Sequence, residues 1–271
     1  MFFIKEIYSD FLVFKCKALL DCGICHGFMG KGVNVKGLDF SLDIKLSETK
    51  IASSPNIICD YSSLVLGNSV KLLKQVHGIN LCRTQDFSNI SNNSLEGDGF
   101  LVRSGDGAVG IKTADCVPLI LYASDINIAV ILHCGWRGTI DGIIEAALQK
   151  LFHLGSSPEY IIAATGPAAG SCCYEVGLVV VKIFKERELS LIEQCQKSNI
   201  SVKSAQSIHS REGKYYASVQ SLVFKILVAN GVVPGKIYLN HICTICSPDF
   251  YSYRRDGDDC GRQLSYLQLI S

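Results

Sequence analysis

The chain has no long apolar run. Its longest uncharged stretch, "YIIAATGPAAGSCCY" between Glu159 and Glu175, has 15 residues and contains a Gly-Pro. A bilayer-spanning helix needs roughly 18 or more apolar residues, so no membrane is expected as a partner. Charge is scarce and balanced: 26 basic residues stand against 25 acidic ones, 19% of the chain is charged, and the net charge is +1. That balance argues against nucleic acid or an anionic membrane surface as a partner. Repeats and low-complexity linkers are missing. The polar patch "DFSNISNNSLEGDG" (Asp86–Gly99) is a loop too short to separate domains. The expectation is one domain over residues 1–271.

Apolar residues and cysteines are what the chain has in quantity. Hydrophobic residues make up 48%, enough to bury a sizeable core, and disordered chains are poor in them. The 13 cysteines are an odd number. The opening "MFFIKEIYSDFLVFK" is interrupted by Lys5, Glu6 and Asp10, so it reads as a first strand and not as a secretion leader. The cysteines are then expected to be free thiols in a reducing cytoplasm, most of them small buried hydrophobes.

Strand and helix patterns alternate. "NIAVILHCGW" (Asn127–Trp136) reads as a buried strand. The next segment places Ile140, Ile143, Ile144, Ala147, Leu148 and Leu151 on one helical face, ended by Gly155 and Pro158. "EYIIAAT" (Glu159–Thr165) is the following strand. A helix is expected from near Glu175, with Val176, Val179, Val180 and Ile183 inward. Another is expected over Ala217–Asn230, with Val219, Leu222, Val223, Ile226 and Leu227 inward. "KIYLNHICTI" (Lys236–Ile245) reads as a late strand. Short strands and loops before Tyr122 and helices after it indicate an α+β arrangement of mixed sheets covered by helices.

Three motif matches fail on context. "GDGAVG" (Gly105–Gly110) fits a dinucleotide fingerprint, but a strand pattern follows it where a helix is required. "GICHG" (Gly23–Gly27) resembles a nucleophile elbow, yet a glycine-rich segment follows. Cys22/Cys25 and Cys243/Cys246 are C-x-x-C pairs too far apart for a shared zinc ribbon.

Three other places combine ligand or nucleophile types with tight turns. They are "KQVHG" with His77, "TADC" with Asp115 and Cys116, and "HCGWRG" with His133, Cys134, Trp136 and Arg137. Each has an ordinary reading alone: a hydrogen-bonded structural histidine, a packed thiol, an arginine stacked on a tryptophan. Their joint occurrence argues for more. Cys116 and His133 lie on consecutive strands joined by a turn near Ser124–Asn127. Antiparallel pairing would bring them together. Two imidazoles and a thiolate make a good zinc site with one position left open. Asp115 could orient a ligand imidazole or move protons, and Arg137 could hold an anion.

Together with "DGFLV", "TADCVPLILY", "GPAAGSCCYEVG", "CTICSPDFYSYRRDG", "GR" and the upstream "HGF", these segments resemble the laccase-domain family, also called YfiH-like or multicopper polyphenol oxidase. The resemblance implies a single-domain layered sandwich of mixed sheets flanked by helices (α/β/β/α). It implies a metal and active site at His77, Cys116 and His133. It further implies a zinc-dependent purine nucleoside phosphorylase that takes adenosine, inosine and methylthioadenosine with phosphate and also deaminates adenosine. Copper is the alternative metal. Relatives are described as copper-dependent phenol oxidases and as peptidoglycan-editing factors, which leaves a copper oxidase or a cysteine-dependent amide hydrolase using Cys116 and His133 as alternatives. Arg137, Arg254 and Arg255 become candidates for phosphate, Phe28 and Tyr253 for stacking on a purine, and Asp115 or Glu175 for proton transfer. Six histidines are few for several coppers. The chain departs from the family pattern in the entrance segment "HGFMGKGVNVKG", which lacks the usual arginine, and in Cys134, an added thiol beside His133.

Overall fold

A computed structural model describes residues 2–8, 11–32, 70–87, 94–197 and 206–270. The first half comprises β1 (Phe3–Tyr8), β2 (Phe11–Cys16), α1 (Lys17–Asp21), β3 (Ile24–Gly32), β4 (Lys71–Leu72), β5 (Leu81–Arg83), β6 (Gly99–Val102), β7 (Val109–Thr113), β8 (Val117–Ala123) and β9 (Ile128–Cys134). Then follow α2 (Trp136–Asp141), α3 (Ile143–His153), β10 (Ile161–Thr165), β11 (Glu175–Val176), α4 (Leu178–Lys197), β12 (Ile208–Arg211) and β13 (Lys214–Ala217). The chain continues through α5 (Val219–Ala229), β14 (Ile237–Tyr238), α6 (Tyr253–Asp256) and β15 (Gln263–Leu269).

The strands form two six-stranded mixed sheets, ordered β1-β2-β3-β15-β7-β4 and β14-β10-β8-β9-β6-β5, and a small sheet β11-β13-β12. Phe14, Phe28, Val109, Ile111 and Leu267 of the first sheet share a core with Phe100, Val102, Ile120, Tyr122, Ala129 and Ile131 of the second. The other residues of β8 and β9, among them Leu119, Leu121, Val130 and Leu132, join a second core with Leu148 of α3, Phe184 of α4 and Ile226 of α5. The fold is therefore a layered α+β sandwich of mixed sheets flanked by helices. With apolar neighbours on both faces, β8 and β9 are buried along their whole length. That is why they read as continuous apolar runs and not as alternation. Among the described residues no helix is long and apolar enough to cross a membrane.

Several elements differ from the expectation. The helix expected through Ile140 is two helices, because Gly142 adopts φ 102° and breaks the ladder between α2 and α3. The helix expected near Glu175 starts at Leu178, since Glu175 and Val176 pair with β13 instead. This changes its inward face: Val179 is exposed, and Val181, Phe184, Leu191 and Cys195 are buried. The late strand ends after Tyr238, where its neighbour β10 is already finishing. The N-terminal segment forms a hairpin of two strands. The helix Val219–Ala229 buries all five residues expected inward. Ion pairs of Arg187 with Glu145 and of Lys225 with Glu188 tie α4 to α3 and α5.

Candidate metal centre

Strand register brings the three candidate ligands to one end of the second sheet. β8 and β9 pair antiparallel with Pro118 opposite His133 and Val117 opposite Cys134. Side chains alternate across a strand, so Cys116 and His133 project to the same face. Cys134 projects to the opposite face and is fully buried in the core beneath the helices. The added thiol therefore packs. β6 pairs antiparallel with β9, Gly99 opposite Leu132, so Asp98 lies directly opposite His133. β5 runs parallel to β6 and delivers the preceding turn, with His77, to the same end.

His77 is held in an unusual backbone conformation, φ 61°. The buried carboxylate of Asp98 accepts the amide of His77 at 2.9 Å, that of Val76 at 3.2 Å and that of Gly78 at 2.8 Å. These bonds hold a conformation that a non-glycine residue rarely adopts. Asp98 Oδ1 also accepts His133 Nδ1–H at 2.8 Å, which leaves Nε2 of that ring free as a ligand. Gln75 exchanges two hydrogen bonds with the backbone of Lys112 in β7, so the same turn is anchored to the first sheet as well. A methyl group on Gly135 would lie 2.6 Å from His77 Cδ2 and 3.4 Å from Cys116 Sγ. One on Gly138 would lie 2.7 Å from the Gly78 carbonyl. The glycines of "HCGWRG" thus leave room for the His77 turn.

The two imidazoles meet edge to face with centroids 4.7 Å apart. Cys116 Sγ lies 3.8 Å from His77 Nε2, and the ligand atoms of His77, Cys116 and His133 all lie within 4.8 Å of one another. Tetrahedral zinc with ordinary bond lengths would separate a nitrogen and a sulfur ligand by about 3.6 Å. The donor set and its spacing fit such an ion. Burial opposes the Cys116 thiolate, but the His133 and His77 rings outweigh it and bring the thiol down to about 6. Burial likewise opposes charge on His133, and Cys116 and Asp98 raise it to about 9. Negative charge on Cys116 and positive charge on His133 thus favour each other.

The trio opens into a cleft of about 1170 Å³, also lined by Asp115, Trp136, Arg137, Tyr174, Glu175, Tyr253 and Arg254. The Arg137 guanidinium stacks on Trp136 at 4.4 Å and has no hydrogen-bond or ion-pair partner among the described residues. Arg254 stacks on Tyr174 at 4.9 Å and donates to the Glu175 carbonyl. Glu175 itself pairs with Lys214. Tyr253 is half exposed at the rim.

Three expectations need correction. Phe28 is fully buried between the sheets and does not line the cleft, because β3 turns it into the core. Arg255 is spent on structure: its guanidinium donates to the carbonyls of Thr244, Ile245, Ser247 and Phe250 and pairs with Asp256. Asp115 lines the cleft, but its carboxylate accepts Thr244 Oγ1, Ser252 Oγ and the Arg254 amide. The imidazole is oriented by Asp98. Neither that role nor the place of Tyr174 in the cleft is legible from residue type and spacing, although "DGFLV" carries Asp98 and "GPAAGSCCYEVG" carries Tyr174. The entrance segment beyond Gly32 lies outside the described residues.

Fold and site together define a protein of layered sheets with a cleft at whose base two histidines and a cysteine could hold a metal ion. The sequence model of one family, described as multi-copper polyphenol oxidoreductase laccase, matches residues 29–270. The chain belongs to that family. It is 34% identical over 190 residues to a purine nucleoside phosphorylase of Xylella fastidiosa, covering 68% of this chain and 66% of that one. It is 33% identical over 171 residues to adenosine deaminase RL5 of an unknown prokaryotic organism, covering 62% and 61%. The matched part thus spans 66% and 61% of these two relatives, less than two thirds of either. Among solved structures, the Bacillus licheniformis hypothetical protein YfiH superposes with a TM-score of 0.75 at 22% identity, over 98% of both chains. YlmD from Geobacillus stearothermophilus gives 0.73 at 23%, over 100% of this chain and 99% of that one.

Proposed function

We propose that this protein is a zinc-dependent purine nucleoside phosphorylase with adenosine deaminase activity. The observation that carries the reading is the convergence of two imidazoles and one thiolate on a cleft that also offers aromatic rings and an uncommitted arginine. The names of its relatives support it. Zinc held by His77, Cys116 and His133 would supply a Lewis acid without redox chemistry.

The chain's own residues divide the remaining work. Tyr253 and Tyr174 offer ring faces to a purine. Arg137, stacked on Trp136 and without a hydrogen-bond or ion-pair partner among the described residues, has donors for bidentate contact with a phosphate oxyanion, and Arg254 adds charge in the same cleft. In phosphorolysis a phosphate oxygen forms a bond to C1′ as the C1′–N9 bond breaks, and the base leaves with that electron pair and takes a proton. In deamination the oxygen of water joins C6 and ammonia leaves. Glu175, exposed at the cleft and paired with Lys214, and Asp115, which accepts from three donors, are the candidate proton carriers.

All six histidines are among the described residues, and only His77 and His133 enter a metal-ligating group. That supports a single metal in the cleft over a copper cluster there. A second reading, a cysteine-dependent amide hydrolase, is favoured by the lowered thiol of Cys116 beside two imidazoles. The test is zinc-only protein assayed with adenosine, with and without phosphate, and with a phenol under oxygen. Adenine release with phosphate, inosine without it and no oxygen uptake are expected. Intact nucleosides would overturn the reading and leave the amide hydrolase to be tested with chelator-treated protein.

A further inference from the structure

Cysteine chemistry is not confined to the cleft. Cys172, Cys173, Cys243 and Cys246 come from two loops about seventy residues apart, and their four sulfurs all lie within 4.8 Å of one another. Cys172 Sγ and Cys246 Sγ are 3.7 Å apart. Four sulfurs tetrahedrally placed around zinc, each at the usual bond length, would be about 3.8 Å apart. A disulfide would need about 2.05 Å. We propose that these four cysteines form a second, structural metal site for a soft divalent cation, zinc in the first instance, separate from the cleft.

The surrounding backbone is arranged for a thiolate at Cys243. The amide of Gly170 donates to Cys243 Sγ at 3.2 Å, and the amides of Ile245 and Cys246 also point at that sulfur. Donors aimed at a sulfur favour its anionic form, which is the form that binds metal. A methyl group on Gly170 would crowd the cluster, lying 3.2 Å from Cys172 Sγ and 3.4 Å from Cys243 Sγ. The Arg211 guanidinium donates to the Cys172 carbonyl at 3.2 Å and sets a positive charge beside sulfurs that would be left with net negative charge around a divalent ion. The loops already meet through backbone bonds between Ala168 and Ile242 and between Thr244 and Ala168. A shared ion would complete that join. It would fix Tyr174, next to Cys173, and Thr244, whose hydroxyl holds Asp115 beside Cys116. Four thiols bind zinc by releasing their protons to solvent, with no change in oxidation state.

The test uses full-length protein, stripped of metal, kept under reductant, titrated with zinc alone and measured by elemental analysis. Two equivalents are expected. The double variant Cys243→Ser/Cys246→Ser should lose one and keep the other, and His77→Ala should lose the one that the double variant keeps. X-ray absorption of singly loaded His77→Ala protein should show four sulfur neighbours at about 2.3 Å. If the double variant does not fold, alkylation of wild-type protein decides: zinc should protect Cys172, Cys173, Cys243 and Cys246 together. A single equivalent that disappears in His77→Ala, with no protection of the four thiols, overturns the proposal. So does a Cys172–Cys246 disulfide that persists in protein handled under reductant. Failure of the nucleoside assays above would leave this stoichiometry untouched.

Discussion

Asp98→Asn is the smallest change that separates the carboxylate's roles. Asp98 is fully buried and receives four donors, two on each oxygen. Burial alone would raise its pKa, but the His133 hydrogen bond and the Gly78 and Val76 amides outweigh it, so the carboxyl sits below its ordinary range. An amide of the same shape must turn one NH2 group toward donors. If Oδ1 keeps His133 and the His77 amide, the new NH2 faces the Val76 and Gly78 amides. If it flips, His133 loses its partner. Each lost bond to a charged acceptor is worth about 1.5–3 kcal/mol, so two lost bonds cost on the order of 3–6 kcal/mol. That is a large part of the roughly 5–15 kcal/mol that stabilises a typical domain. The positive φ of His77 loses its support at the same time, and removal of such an outer partner typically weakens metal binding about 10–100-fold. The assays are urea unfolding of metal-free protein and zinc competition against a chromogenic chelator. Wild-type stability together with wild-type zinc affinity in Asp98→Asn would refute the assignment of Asp98 as the support of both ligands.

Arg137→Ala should raise the KM for phosphate about 10–100-fold, the equivalent of one bidentate charge-assisted contact, while the nucleoside KM changes less. An unchanged phosphate dependence would assign Arg137 to its stack on Trp136 alone. Acid should destabilise the fold through His26, which is fully buried, accepts the Cys16 amide at Nε2 and donates from Nδ1 to the Ile24 carbonyl. Burial lowers its pKa from 6.5 to about 4. Between these values the unfolded chain binds a proton that the folded one does not, so stability falls as pH drops from 6.5 and the loss is complete below 4. The loss is about 3 kcal/mol. His26→Leu should be less stable but flatter across that window in urea midpoints, and an equal slope in both proteins would exclude His26 as the source.

The features legible along the chain are local ones. The burial of β8 and β9 was legible because a strand with apolar neighbours on both faces must be apolar throughout. The inward faces of α3 and α5 were legible from the helical period, and the meeting of Cys116 and His133 followed from a short turn between consecutive strands. Period, however, carries no information about register between strands distant in sequence. Only the pairing of β6 with β9 puts Asp98 opposite His133 and makes it, rather than Asp115, the partner of the imidazole. The orientation of β3 decides that Phe28 belongs to the core, and the loop carbonyls around Arg255 decide that its donors are consumed. In the same way Cys243 and Cys246, set aside as a distant partner of Cys22 and Cys25, find their neighbours in Cys172 and Cys173. Residue types and spacing along the chain show what chemistry is available. Which groups share a site depends on side-chain packing between segments far apart in sequence, and that is settled only when the sheets close on each other.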